Sequence, residues 1–139
     1  MDRSLFTQKE WELLRAAPFN VQMLVSQADG ERELEEIFPL VEILMSYKGD
    51  VLIEDIFKDT VEAVEEDRLV KNPREALDDI EKAIELIKVS CEKKLILEET
   101  KNIFFHQLIR IAEQTANVDS QGIEPQELSI INLIKSKIN

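Results

Sequence analysis

Residues 72–95 read NPREALDDIEKAIELIKVSCEKKL, a stretch that points to helix at every step. Asn72 followed by Pro73 is a helix start. The Asn side chain can accept from a free backbone N–H, and proline at the first helical position gives up a donor that has no use there. Leu77, Ile80, Ala83, Ile84, Ile87, Cys91 and Leu95 then recur at three- and four-residue intervals, the spacing of one helical face. A strand would alternate with period two, and nothing here does.

The same period runs outward in both directions. Downstream, a helix beginning near Leu97 to Glu99 carries Phe104, Phe105, Leu108, Ile111, Ala112 and Ala116, and ends in the loop from Asn117 to Gly122. A last helix starts at Pro125 and buries Leu128, Ile131, Ile134 and Ile138. Upstream, Asp50 caps a helix with Ile53, Ile56, Phe57, Val61 and Val64 on its inner face. Before Gly49, a stripe from Leu34 through Ile37, Phe38, Val41 and Leu44 to Met45 passes through Pro39, which predicts a kink. Thr7 and Glu10 form a capping box behind Phe6 and open a short helix over 7–16. Pro18 opens a second one, which stops at Asp29-Gly30. The expectation is an all-α fold, a single compact domain over residues 1–139 built as a bundle of about seven helices.

Composition narrows the function. The chain has 139 residues, of which 44% are hydrophobic and 33% charged, so it has the material for a real core. A single Cys excludes an internal disulfide and any multi-cysteine metal site, and a single His leaves little for histidine-based catalysis. Three glycines leave no phosphate-cradling loop. The net charge of −12 is uneven: residues 1–70 hold 17 acidic and 7 basic residues. That sign argues against nucleic acid and against an anionic membrane surface. It favours cations or a basic protein partner, although acid alone also confers solubility. The N-terminus has no apolar run typical of a signal peptide, and no run approaches the roughly 18–20 residues that cross a bilayer. With one unpaired Cys, the cytoplasm is the expected compartment. Homo-oligomerisation is compatible with all of this.

Two helix corners look alike. In VSQADGERELEE (residues 25–36), a helix ends, turns through Asp29-Gly30, and restarts amid Glu31, Glu33, Glu35 and Glu36. In TANVDSQGIEPQE (residues 115–127), a helix ends near Ala116, turns through Asp119 and Gly122, and restarts with Glu124 and Glu127 beside Pro125. Each pairs a turn Asp with a first-turn Glu, seven residues on in one case and eight in the other. Clustered carboxylate oxygens are what hard cations such as Ca²⁺ and Mg²⁺ require. The competing reading is ordinary helix-end chemistry, since the macrodipole favours acid in first turns. Neither corner is an EF-hand. Asn117, Asp119, Gln121 and Gly122 fit its early loop positions, but the twelfth falls on Leu128 instead of Glu.

QADGERELEEIFPLVEIL and ANVDSQGIEPQELSIINLI resemble the paired acidic motifs of the TerB-like tellurite-resistance family. That resemblance implies an all-helical domain of two related halves, each with an A-D-G-x-I-x-x-x-E motif at a helix corner. Asp29 and Glu36 then match the first motif's Asp and Glu, and Asp119 and Glu127 the second's. Arg32 stands where the family has an apolar residue, and the second motif has two extra residues between Asp and Gly. The resemblance implies a cation-binding surface and a link to stress responses, with no settled reaction.

Together these readings predict a non-enzymatic cytoplasmic protein of the stress-response type. A divalent cation, Ca²⁺ or Mg²⁺, would be held by Asp29, Glu31, Glu33, Glu36, Asp119, Glu124 and Glu127, with no organic cofactor. The alternative is an acidic protein-interaction module that docks a basic partner without metal. Other residues read as structural: Cys91 as a buried thiol on the core stripe, His106 as a surface or partly packed side chain, and Trp11 as the anchor of the first helix.

Overall fold

Thr7 and Glu10 close the expected box reciprocally. The Thr7 N–H donates to Glu10 Oε1 at 2.8 Å, and the Glu10 N–H donates to Thr7 Oγ1 at 3.1 Å. Phe6, just outside the cap, packs on Trp11 with ring centroids 6.3 Å apart, the hydrophobic staple that sets the chain's entry angle. In this computed structural model, which describes residues 3–26, 37–65, 72–116 and 125–139, six α-helices follow a short 3-10 turn. They are α1 (Gln8–Ser26), α2 (Ile37–Ser46), α3 (Val51–Glu65), α4 (Pro73–Glu92), α5 (Glu98–Ala116) and α6 (Pro125–Ile138). No strand occurs among the described residues.

The count is six among the described residues, where about seven were expected, because Pro18 lies inside α1 and does not divide it. An interior proline removes one helix donor and costs about 3 kcal/mol. Burial outweighs that cost here, since every residue from Ala16 to Ser26 is buried, so this half of α1 is enclosed on all sides. Thr60 of α3 also lends a donor to the disturbed turn, its Oγ1 lying 2.6 Å from the Arg15 carbonyl. The expected kink at Pro39 falls at the edge of the described residues: Pro39 is the third residue of α2, and residues 27–36 before it lie outside them.

α4 begins as its sequence demands, with Asn72 Oδ1 accepting from the Glu75 N–H at 2.9 Å. It ends earlier than the stripe implied. The Lys94 N–H donates to the Cys91 carbonyl and the Leu95 N–H to the Ser90 carbonyl, a Schellman closure that leaves Leu95 exposed. The closure requires a left-handed residue, and Lys94 adopts φ 61°. Glycine would take that conformation without the Cβ penalty. Lys94→Gly is therefore expected to stabilise the fold by about 1 kcal/mol, read as a raised urea midpoint at unchanged slope. Cys91 is half-buried, not fully inside as its stripe position suggested; the buried neighbour is Ser90.

All six helices contribute to one apolar core, from Leu14, Val21 and Met23 of α1 to Ile131 and Ile134 of α6. The chain directions follow from a few contacts. Thr100 Oγ1 donates to Asp50 Oδ2 at 2.6 Å, so α3 and α5 start side by side. α2 joins α3 through four residues and folds back on it, with Tyr47 edge-on to Phe57 at 5.4 Å. The end of α6 lies against α4, where Lys137 pairs with Glu81 at 3.1 Å, and against the start of α5. The start of α2, the end of α5 and the start of α6 therefore point towards the same end of the bundle.

Candidate functional site

Of the seven expected metal ligands, Asp29, Glu31, Glu33, Glu36, Asp119 and Glu124 lie outside the described residues. The seventh, Glu127, is the third residue of α6 and only 6% exposed. The sequence stripe put Leu128 on the buried face, yet Leu128 is 46% exposed and Glu127 takes the inward position. Both fit the period, three and four residues before Ile131. A carboxylate tolerates the inner place because the free N–H groups and positive dipole end of a helix start stabilise negative charge. Among the described residues, no group of three or more His, Cys, Asp or Glu side chains could hold a metal ion.

A second feature was not anticipated. Where α2 turns into α3, Gly49 adopts φ 146°, a conformation few side chains allow, and a Cβ there would lie 3.2 Å from the Tyr47 hydroxyl. Tyr47 Oη in turn accepts from the Asp50 N–H at 2.9 Å, and Asp50 Oδ1 caps α3 through the Ile53 N–H at 3.2 Å. This braced turn and the first half of α5 enclose an open cleft of about 840 Å³. Asp50, Glu99, Asn102, His106 and Gln107 line it beside Tyr47. Gln107 is 7% exposed, and its Oε1 has no hydrogen-bond partner among the described residues. The sequence held a signal for it: Gln107 sits on the α5 stripe between Phe104 and Ile111, a polar side chain at a core position.

Comparison with known protein families, with curated proteins and with solved structures finds no match to this chain. The remaining residues hold structural places. Trp11 is 2% exposed and its Nε1–H donates to Asp59 Oδ2 at 2.7 Å, anchoring α1 to α3 as expected. His106 is exposed at the cleft. No helix among the described residues is long and apolar enough to cross a membrane.

Proposed function

We propose that this chain is a non-enzymatic cytoplasmic protein of the stress-response type, TerB-like, that binds Ca²⁺ or Mg²⁺ through its two acidic corners. The observation that carries this reading is the direction of the flanking helices. The start of α2, the end of α5 and the start of α6 border the two acidic segments and point to one end of the bundle, where Glu127 already holds a carboxylate inward. A single corner supplies too few oxygens for Ca²⁺, which takes about six to eight ligands. Two corners pool Asp29, Glu36, Asp119 and Glu127, whose mutual repulsion a cation would relieve. Mass-spectrometric metal analysis of the purified protein, before and after chelation, is expected to find a divalent metal that the chelator removes. Metal-free protein that stays metal-free in millimolar calcium and magnesium would refute the reading.

A second reading, an acidic interaction module without metal, is favoured by a separate observation. Met45, Val51 and Leu97 are 68%, 63% and 62% exposed around one end of the bundle, amid the charges of Asp50, Glu54, Glu98 and Glu99. Apolar side chains set among acids suit a partner with apolar and basic residues. It predicts retention on a basic partner that weakens with salt and ignores chelator.

A further inference from the structure

We propose that the cleft between the α2–α3 turn and α5 receives the arginine side chain of a partner protein. The proposal rests on the interaction reading and locates its contact. Three features carry it. The first is Gln107, which lines the cleft and whose buried Oε1 has no partner among the described residues. Leaving such an acceptor unmade is unfavourable, and a donor entering the cleft would satisfy it after a small rotation of the amide.

The second is the charge of the walls. Asp50 and Glu99 face the same space. Asp50 is already engaged by Thr100 and by the α3 cap, so it contributes fixed negative charge, while the exposed Glu99 carboxylate can accept directly. Lys48 and His106 are the basic residues lining the cleft; both are exposed, and Lys48 stands on a flexible stem that can swing away. A planar guanidinium offers five donors, enough to meet Gln107 and Glu99 together and still reach the Asn102 side chain.

The third is what surrounds the opening. The Thr100–Asp50 bond brings the α5 start against the α3 start, so Leu97 and Val51, both exposed, lie close to the cleft. A free small cation would leave them in water. An arginine flanked by apolar residues in a partner chain would cover them, which commits the site to a protein partner.

The test uses the full chain and a blocked hexapeptide with one arginine between leucines, followed by the Gln107 side-chain amide and the Val51 and Leu97 backbone signals in nuclear magnetic resonance. The arginine peptide should shift all three sets. Its citrulline counterpart, equal in shape but uncharged, should bind at least about tenfold more weakly, and Glu99→Gln should cost a similar factor. Gln107→Leu should leave the melting temperature unchanged or raised yet weaken binding, which a purely structural glutamine would not do. Absence of shifts at millimolar peptide, equal binding of the citrulline form, or indifference to Glu99→Gln would each overturn the assignment. Agmatine binding as tightly as the peptide would also overturn it, in favour of a free cation. Shifts confined to other acidic surfaces would remove the cleft while leaving the interaction reading intact.

Discussion

Asp59→Ala is expected to lower the unfolding free energy by about 3 kcal/mol. Two donors converge on Asp59 Oδ2: the Trp11 indole N–H at 2.7 Å and an Arg15 guanidinium nitrogen at 3.4 Å. The Arg15 and Asp59 side chains are only 11% and 16% exposed, so water compensates little when the carboxylate goes. The loss leaves an indole N–H and a guanidinium without this acceptor in the interior, which costs more than the pair itself contributes. Asp59→Asn keeps an acceptor and should lose roughly half as much. Trp11 is the only tryptophan, so its fluorescence in urea reports the change directly. A loss below about 0.5 kcal/mol, the range of ordinary surface substitutions, would mean that the cluster does not hold α1 to α3.

Phe104→Ala should be more damaging still, by about 4 kcal/mol. Phe104 is fully buried in α5 and lies 6.1 Å from the ring of Phe105, within the core shared by all six helices. Truncation loses the transfer energy of the ring and leaves a cavity that packed neighbours refill only in part. Leu97→Ala, at 62% exposure, should change stability by less than about 0.5 kcal/mol. Comparable losses at the two positions in calorimetry would contradict the placement of the core.

The helices were legible in the sequence because each carries a stripe of period 3.6 and several carry a start signal. Asn72-Pro73, Asp50 and the Thr7–Glu10 box each cap where the residues said they would. The errors fall where tertiary burial overrides a local rule. Pro18 is a helix breaker by backbone chemistry, yet complete burial from Ala16 to Ser26 keeps α1 continuous. Lys94 supplies a left-handed C-terminal closure that local propensity assigns to glycine, so the stripe read through to Leu95 overshoots. At the start of α6, hydrophobicity chose Leu128 and the packing chose Glu127, because periodicity alone cannot separate positions three and four before Ile131. The acidic segments stand out as motifs in the sequence, and of their expected ligands only Glu127 is among the described residues. The cleft at Gln107 was not legible, because it is assembled from α5 and a turn some fifty residues upstream.

Calcium-dependent thermal melting of the wild type, Asp29→Asn and Asp119→Asn decides whether both acidic corners hold one cation. Binding to the folded state alone raises stability by about 2.7 kcal/mol when calcium stands at a hundred times its dissociation constant. Asparagine can still cap and turn, so each variant should fold as the wild type does without calcium. A rise of several degrees is expected for the wild type at millimolar calcium, most of it lost in either variant. No rise in the wild type with calcium or magnesium would contradict cation binding, and a rise lost in only one variant would contradict the shared site.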